Sequence, residues 1–281
     1  METRAIVSPE ELRRIQGDVR IVDARAGDGA AQAYRASHLA GALRADPETD
    51  LATPSDPAHG GRHPLPALDV FRHTLGRWGI TPELDVVVYD DKQGANAAAR
   101  LWWMLRAVGH ARVAVLDGGW QAALEAGLPT DAEVPSIAPV APYPASRWVL
   151  PISTIDDVDG LRLDPSWRVL DVRAAYRYRG ESDPFDPVAG HIPGAINVPY
   201  SANLDATGRF KSPSELRAAY EPLLAEGGAS RLVVHCGSGV TACHTLVALE
   251  LAGLAGASLY VGSWSEWCRR DRPLGRSRTP S

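Results

Sequence analysis

Cys236 stands between an apolar run and a glycine-rich stretch, a setting in which a cysteine can act as a nucleophile. The run before it, Leu232–His235, contains β-branched residues, residues 237–239 are Gly-Ser-Gly, and an apolar stretch of helical length follows. This pattern predicts a buried strand, a tight loop and a helix. Such a loop directs backbone N–H groups into one concavity near a helix N-terminus, where negative charge and hence a thiolate are favoured. A small buried core cysteine is the alternative that the residue type alone leaves open.

The composition fits a soluble globular chain and argues against several other classes of protein. The 281 residues are 45% hydrophobic and 22% charged, with a net charge of -5. This charge offers no basic patch for nucleic acid or an anionic membrane, no apolar run reaches membrane-spanning length, and the first residues lack the apolar core of a signal peptide. We therefore expect a cytoplasmic protein with no nucleic-acid or membrane partner. The cysteines, Cys236, Cys243 and Cys268, are too few and too widely spaced for a disulfide framework or a zinc site, so we expect no metal and no cofactor.

The elements around Cys236 occur twice in the chain. Four blocks recur in the same order, 144 to 153 residues apart. Residues 19–25 match 167–173, 38–43 match 191–196, 86–90 match 232–236, and 116–120 match 260–264. Ordered repetition of this kind predicts a duplicated domain. Because each copy alternates strands with helices, we expect an α/β fold of two tandem domains, each with a mostly parallel sheet flanked by helices. The first domain would span residues 1–134, a proline-rich linker 135–150, and the second domain 151–281.

Three motifs of the second copy resemble those of the rhodanese family of sulfurtransferases, in its tandem two-domain form. They are the Asp171-x-Arg173 strand, His-Ile-Pro-Gly-Ala-Ile-Asn-Val-Pro at residues 191–199, and Cys-Gly-Ser-Gly-Val-Thr-Ala at residues 236–242. The resemblance implies a cysteine nucleophile that takes sulfur from a small-molecule donor as a persulfide and passes it to a thiol, to thioredoxin or to cyanide. It also implies a catalytically inactive first domain, because Asp90 stands where the second copy has Cys236 and a carboxylate cannot form a persulfide.

The residues after the cysteine indicate the sulfur donor. Thiosulfate-using members of the family carry basic residues there, whereas the neutral Ser238 and its glycine neighbours resemble the loop of the 3-mercaptopyruvate sulfurtransferases. We therefore expect transfer from 3-mercaptopyruvate, with thiosulfate as the alternative donor. We expect the Ser238 hydroxyl to take part in catalysis, and the backbone amides of Gly237, Gly239, Val240 and Thr241 to hold the negative charge of the persulfide.

Two arginines are candidates for binding the anionic end of the donor. Arg177 matches the arginine that has this role in the family, and Arg179 lies two residues further on. The forked guanidinium of arginine suits a carboxylate better than a lysine ammonium does. Mercaptopyruvate-type members often carry a second arginine seven residues before the His-x-Pro-Gly motif, but this chain has Pro184 there. The two-arginine carboxylate clamp is therefore incomplete in the sequence.

A histidine and an aspartate of the first copy match residues that reach the active cleft in the mercaptopyruvate enzymes. They are His63 and Asp46, and the resemblance implies that they form a Ser-His-Asp relay with Ser238. A histidine oriented by a carboxylate could deliver a proton to the carbon that loses sulfur. The neighbouring residues His59, Glu48 and Asp50 remain alternatives for these roles.

Two other functions remain as alternatives. Cysteine phosphatases with a His-Cys-x5-Arg loop share the architecture, but Ala242 stands at the arginine position, so the fork that would bind phosphate is missing. A non-catalytic sulfur-carrier or binding module is also compatible with one inactive copy. Asp171 and Arg173 are predicted to be structural, because the copy without the cysteine has the same pair.

Overall fold

The computed structural model describes residues 4–276, and these form two compact units. The first unit comprises the chain up to Thr53 together with Pro66–Val149 and Ala206–Phe210. The second comprises Pro54–Leu65, Leu150–Asp205 and the chain from Lys211 onwards. Residues 54–65 therefore group with the second unit although they lie inside the first repeat of the sequence.

The first unit is built on a parallel sheet with strand order β1-β6-β5-β2-β4. Its strands are β1 (Ile6–Val7), β2 (Val19–Asp23), β4 (Leu43–Arg44), β5 (Asp85–Tyr89) and β6 (Val113–Leu116). A short antiparallel pair, β3 (His38–Leu39) with β7 (Thr130–Asp131), stands apart from this sheet. The α-helices of the unit are α1 (Pro9–Ile15), α2 (Ala30–Ala36), α3 (Leu68–Arg77), α4 (Ala97–Ala107) and α5 (Gly119–Glu125).

The second unit repeats this sheet with strand order β10-β9-β11-β12-β8, again all parallel. Its strands are β8 (Ile152–Ser153), β9 (Arg168–Asp171), β10 (Ile196–Asn197), β11 (Leu232–His235) and β12 (Ser258–Tyr260). Its α-helices are α6 (Ile155–Leu161), α7 (Ala175–Arg179), α8 (Pro213–Tyr220), α9 (Ala242–Leu251) and α10 (Ser263–Trp267). The predicted fold class, two tandem α/β domains with parallel sheets and flanking helices, is confirmed.

The sequence at the helix starts explains why the first helix of each unit begins where it does. Ser8 accepts a hydrogen bond from the Glu11 backbone N–H, and the Glu11 side chain accepts one from the Ser8 N–H, which forms a capping box ahead of Pro9. Thr154 caps α6 in the same way with Asp157. Each capping box satisfies two backbone donors that an uncapped helix would leave unpaired.

The central strand β11 and the helix that follows it form the core around the expected nucleophile. All four residues of Leu232–His235 are buried. Helix α9 is buried on every side from Ala242 to Leu249, so it lacks the polar face of a surface helix. An element buried all round is held in place by packing, and β11 and α9 therefore give the loop between them a rigid frame.

The proline-rich stretch before the second repeat packs against the first unit through residue 149. Its Val140 N–H donates to the carbonyl of Gly76, 2.9 Å away, where the backbone approach leaves no room for a larger side chain at residue 76. Tyr143 is buried, and Trp148 stacks on Phe71 with ring centroids 5.6 Å apart. No helix among residues 4–276 is long and apolar enough to cross a membrane.

Candidate active site

Cys236 directly follows β11, at the carboxyl end of the central strand of the second sheet. The predicted strand, loop and helix are present as Leu232–His235, residues 236–241 and Ala242–Leu251. The Cys236 N–H donates to Oγ of Ser263 at 3.2 Å, and its carbonyl accepts from the Trp264 N–H at 3.1 Å. The residue is 1% exposed. Ligands of open parallel sheets bind at this end of the strands, so the cysteine lies at the edge of the sheet where a binding site is expected.

Gly239 gives the loop after the cysteine its shape. Its φ of +76° is in the left-handed region, and a Cβ there would lie 2.4 Å from the carbonyl oxygen of Val261. Only glycine therefore fits at this position. The turn brings the chain to Thr241, the residue before α9, so the loop ends at the positive end of a buried helix. Gly237, Gly239, Val240 and Thr241, which were expected to hold the persulfide, all belong to this turn.

Ser238 and His63 form a hydrogen-bonded pair beside the loop. Oγ of Ser238 and Nδ1 of His63 lie 2.7 Å apart, and Ser238 is 6% exposed. Which of the two atoms donates depends on the histidine tautomer. His63 belongs to the segment Pro54–Leu65, which groups with the second unit. The second unit thus contains the thiol of Cys236, the hydroxyl of Ser238 and the imidazole of His63.

Hydrogen bonds from the backbone of this segment hold it, and with it His63, against α10 and the residue before that helix. The Gly60 N–H donates to the Glu266 carboxylate and the Arg62 N–H donates to Oγ of Ser265, each at 3.0 Å. Gly61 lies so close to Gly262 that a Cβ at residue 61 would be 2.4 Å from the Gly262 carbonyl oxygen. Both acceptor side chains are buried, so these bonds hold the segment in place and position the imidazole.

Asp46, the expected third member of the relay, lies in the first unit. Its carboxylate accepts hydrogen bonds from Nη1 of Arg44 at 2.8 Å and from the Glu48 N–H at 3.0 Å. Partial burial raises the pKa of Asp46, but the bond from Arg44 and the backbone bonds outweigh it and hold the pKa below its usual value. Its role towards His63 stays a prediction. Of the alternatives, Asp50 accepts from the Asp46 N–H, and His59 is exposed and 3.5 Å from Asp56.

Arg177 has its guanidinium against the first residue of the loop. A Cβ on Gly237 would lie 3.1 Å from Nη2 and 3.4 Å from Nη1 of Arg177. Asp183, whose side chain is buried, accepts bonds of 2.9 and 3.0 Å from Nη2 of the same guanidinium. Arg179 points elsewhere, because its Nε donates to Glu181 at 2.6 Å on the surface. The structure therefore brings Arg177, but not Arg179, to the loop after Cys236.

Sequence reasoning missed Arg62. Its Nη2 lies 3.3 Å from the position of a Cβ on Gly237, next to Arg177. Arg62 also pairs with Asp186, whose side chain is fully buried. The only sequence signal was its position beside His63 in a Gly-Gly-Arg-His-Pro stretch. The loop is neutral in sequence, yet two guanidinium groups lie against it in the structure.

Buried carboxylates anchor the arginines around the loop. Asp186 accepts from Arg269 at 2.7 Å as well as pairing with Arg62, and Asp183 accepts from Arg173 at 3.2 Å as well as from Arg177. Charge-assisted bonds to buried carboxylates fix guanidinium groups in place. Asp183 therefore holds two arginines, and Asp186 holds two at hydrogen-bond distance with Arg177 a further 3.6 Å away.

The Asp171–Arg173 pair lies at the end of β9, where Asp171 is the strand partner of His235, and has the character expected of a structural element. Nε of Arg173 donates to both oxygens of Asp171, at 2.9 and 3.1 Å. Burial raises the pKa of Asp171, but the attraction of Arg173 outweighs it and holds the pKa below its ordinary value. The first unit has the same arrangement between Asp23 and Arg25, at 2.9 and 3.1 Å. The aspartate–arginine pair is present in both units, whereas the cysteine is present only in the second, so the pair fits a role in the fold.

In the first unit, the position of Cys236 is taken by a carboxylate that fills its own loop. Asp90 is completely buried and accepts four backbone N–H bonds of 2.8 to 3.1 Å. The donors belong to Lys92, Gly94, Asn96 and Ala98. Burial raises the pKa of Asp90, and these four bonds act in the opposite direction. The first loop is thus an anion-binding turn already occupied by its own side chain.

The other cysteines have surroundings unlike those of Cys236. Sγ of Cys243 donates to the carbonyl of Gly239 at 3.4 Å from within the buried helix α9. Burial raises the pKa of Cys268 to about 11. Within residues 4–276, no cluster of histidine, cysteine and carboxylate side chains is arranged to hold a metal ion.

Comparison with known proteins finds similarity over both halves of the chain. A family model for the rhodanese-like domain matches residues 8–126 and again residues 154–270. A Pseudomonas aeruginosa protein named "Probable 3-mercaptopyruvate sulfurtransferase" is 39% identical, with 97% of this chain and 98% of that protein covered. Thiosulfate sulfurtransferase of Mus musculus is 35% identical, covering 97% and 95%. The solved structure of 3-mercaptopyruvate sulfurtransferase from Leishmania major has a TM-score of 0.83 at 33% identity, covering 95% of this chain and 75% of that one.

Proposed function

The chain belongs to the rhodanese-like family and is a sulfurtransferase, and we propose that it moves the sulfur of 3-mercaptopyruvate through a persulfide on Cys236 to an acceptor. The observation that carries this choice of donor is the 2.7 Å contact between Ser238 Oγ and His63 Nδ1 beside the cysteine loop. When sulfur leaves the carbon of the donor, that carbon must receive a proton, and the pair of Ser238 and His63 can deliver it.

The transfer balances without any further reactant. The Cys236 thiolate attacks the donor sulfur, so an S–S bond forms while the C–S bond breaks and its electron pair goes to carbon. The proton of the donor thiol passes through Ser238 and His63 to that carbon, which gives pyruvate and leaves the persulfide anionic. The N–H groups of residues 237–241 would hold this anion at the start of α9.

The same loop would then present the outer sulfur to an acceptor. A thiolate or cyanide attacks that sulfur, the S–S bond breaks, and the electron pair returns to Cys236. We propose a small thiol, reduced thioredoxin or cyanide as the acceptor, in a reducing compartment such as the cytoplasm. Persulfide loss measured by mass spectrometry after addition of each acceptor tests this half of the reaction.

We propose that the first of the two domains, predicted at residues 1–134, is catalytically inactive and that residues 135–150 link it to the catalytic residues 151–281. The Asp90 carboxylate, enclosed by four N–H donors in place of a sulfur, supports this division of labour. Asp46 of that domain would orient His63, as the resemblance to mercaptopyruvate enzymes implies.

Thiosulfate is the second candidate donor, and one observation favours it. Two guanidinium groups lie against Gly237, so the surroundings of the loop are more cationic than its sequence indicates. A doubly charged donor would gain from them. The mouse relative named thiosulfate sulfurtransferase matches over nearly the whole chain.

The variant His63→Gln separates the two donors. With 3-mercaptopyruvate we expect kcat to fall by about 100-fold or more, the usual contribution of a positioned proton donor. With thiosulfate we expect little change, because sulfite leaves as an anion and no carbon has to be protonated. Steady-state rates of wild type and variant with both donors are the measurement. A wild-type preference for thiosulfate would overturn the proposed donor, and persulfide formation without turnover would indicate a sulfur carrier.

A further inference from the structure

We propose that Glu266 is a positioning residue for the transfer of a proton to the donor carbon: through the backbone of residues 60–62, it sets where His63 stands relative to Cys236. The inference rests on the proposed function, in which His63 passes a proton to the carbon that loses sulfur. Glu266 lies on α10 and acts through this segment, without itself being a member of the proton relay.

Helix α10 is bonded directly to the backbone of the nucleophile. The Cys236 N–H donates to Oγ of Ser263 at 3.2 Å, and the Cys236 carbonyl accepts from the Trp264 N–H at 3.1 Å. The Gly237 carbonyl accepts from the Ser265 N–H at 2.8 Å. Three bonds to two consecutive residues fix the start of the loop on α10, so the position of the nucleophile is defined by this helix.

The same helix holds the segment that contains His63. The Glu266 carboxylate accepts from the Gly60 N–H through Oε1 at 3.0 Å and from the Tyr260 hydroxyl through Oε2 at 2.9 Å. Glu266 and Tyr260 are both buried, and Tyr260 ends β12 in the core of the unit. Hydrogen bonds to an ionised carboxylate are stronger than those between neutral groups. Glu266 therefore ties the segment to the sheet as well as to α10.

Two glycines allow the segment to approach α10 this closely. A Cβ on Gly61 would lie 2.4 Å from the carbonyl oxygen of Gly262, and a Cβ on Gly262 would overlap the Glu266 carboxylate. Because neither residue has a side chain, the main chain of the segment packs on the main chain ahead of α10. The bonds to Glu266 and to Oγ of Ser265 then fix its position along the helix.

The first unit shows which part of this arrangement accompanies the cysteine. The Trp120 N–H donates to the Asp90 carbonyl at 2.9 Å, which repeats the bond from α10 to the Cys236 carbonyl. Counting on from this last matched block, Ala122 stands where the second unit has Glu266. The backbone bond thus occurs in both units, whereas the carboxylate occurs only in the unit with the nucleophile. A side chain that served the fold alone would be expected in both.

The consequence for the reaction depends on the donor. His63 and Cys236 act on different atoms of one 3-mercaptopyruvate molecule, so a change in their separation displaces the proton donor from the carbon that it must reach. With thiosulfate, sulfite leaves as an anion and no carbon receives a proton. Loss of Glu266 should therefore slow transfer from 3-mercaptopyruvate and spare transfer from thiosulfate.

The test compares Glu266→Ala with Glu266→Gln and Glu226→Ala. Glutamine keeps an acceptor oxygen for the Gly60 N–H, and Glu226 is an exposed glutamate of the same unit. With 3-mercaptopyruvate we expect kcat to fall about 10-fold in Glu266→Ala and at most about 3-fold in Glu266→Gln, with KM little changed. Glu226→Ala should match wild type. The thiosulfate rate, and the rate at which dithiothreitol removes sulfur from preloaded Cys236, should stay within about 2-fold of wild type in all three variants.

A double-mutant cycle with His63→Gln distinguishes positioning from a general loss of structure. If Glu266 acts through His63, Glu266→Ala should lower kcat by less than about 2-fold once His63 is replaced. Ser265→Ala removes the acceptor of the Arg62 N–H from the same helix, and it is the second variant if Glu266→Ala does not fold. It should show the same selective loss with 3-mercaptopyruvate.

The outcomes separate this inference from the proposed function. An unchanged kcat in Glu266→Ala, an equal loss with both donors, or an undiminished loss in the His63→Gln background would overturn the inference alone. A His63→Gln enzyme as active with 3-mercaptopyruvate as wild type, or a wild type that forms no persulfide from this donor, would overturn the proposed function and this inference with it.

Discussion

At the scale of single residues, the three cysteines show how surroundings decide what a sulfur can do. Cys236 lies at the mouth of a glycine turn, with Arg62 and Arg177 beside the next residue. Cys243 is turned towards a backbone carbonyl inside a buried helix, and burial raises the pKa of Cys268 to about 11. A thiol whose ionised form is disfavoured makes a poor nucleophile.

We therefore expect Cys236→Ser to abolish persulfide formation and turnover, whereas Cys243→Ser should retain both. The hydroxyl in the second variant can still donate to the Gly239 carbonyl, so the loop keeps its shape. Intact-protein mass after incubation with the donor, and the rate of pyruvate release, are the measurements. Loss of activity in Cys243→Ser would show that the helix cysteine takes part in transfer.

At the same scale, residue type alone did not predict which arginines lie at the loop. Arg177 and Arg179 are separated by one residue on α7 and were both expected to bind the donor. Successive odd positions on so short a helix point in different directions, and Arg179 meets Glu181 instead of the loop. Arg62 reaches the loop from a segment more than 170 residues earlier in the chain.

At the scale of elements, the strand–loop–helix motifs of the two units differ in the residue that lies at the start of the loop. In the second unit, Cys236 follows the end of β11 and begins the turn. In the first unit the Asp90 carboxylate accepts N–H bonds from the loop and from the first turn of α4, including those of Gly94 and Ala98. Anions are favoured at such turns, so the turn that holds a built-in carboxylate in the first unit is the one proposed to hold the persulfide in the second.

This comparison predicts that Asp90→Asn destabilises the first unit. The amide replaces one acceptor oxygen with an N–H donor that would face backbone N–H groups, and we expect a loss of about 2–4 kcal/mol in the free energy of unfolding. Asp28→Asn, at an exposed position in the same unit, is the matched control and should change little. Urea unfolding followed by tryptophan fluorescence measures both. Equal stability of the two variants would mean that the carboxylate is not what holds the loop.

At the scale of the whole molecule, a buried histidine links stability to pH. His244 is completely buried in α9, and burial lowers its pKa to about 3. In the unfolded chain it would titrate near its ordinary value, so between these two pH values only the unfolded state binds the proton. The contribution of His244 to stability is therefore complete above the unfolded value and decreases as the pH falls towards the folded one.

We expect the unfolding free energy of the second unit to fall with decreasing pH below about 6.5, with His244 contributing at most about 1.4 kcal/mol per pH unit. In His244→Gln this contribution disappears and the pH dependence becomes shallower. His73→Gln, which alters an exposed histidine, should keep the wild-type slope. Denaturant titrations from pH 7.5 to 4.5 supply the slopes. Parallel slopes for wild type and His244→Gln would contradict the buried, neutral histidine.

The sequence by itself determined the features that depend on neighbours along the chain. Alternating apolar runs and helical stretches, repeated in order, predicted two parallel-sheet domains, and the run before Cys236 with the glycines after it predicted the strand, turn and helix that the structure contains. Strands, turns and caps arise from backbone preferences over a few residues, so their signals are local. His63 and Ser238 were paired by resemblance to a family, and the structure places them 2.7 Å apart.

Only the tertiary structure decided which distant residues meet at the loop. Residues 54–65 lie within the first repeat, yet bonds such as Gly60 to Glu266, spanning 206 positions, group them with the second unit. The approach of Arg62 to Gly237 follows from that docking and from its pairing with the buried Asp186. Such contacts result from the packing of whole surfaces, to which each residue contributes little by itself. No pattern of neighbouring residues in the sequence therefore predicts them. The positive charge beside Gly237 is therefore a property of the fold and not of the loop sequence.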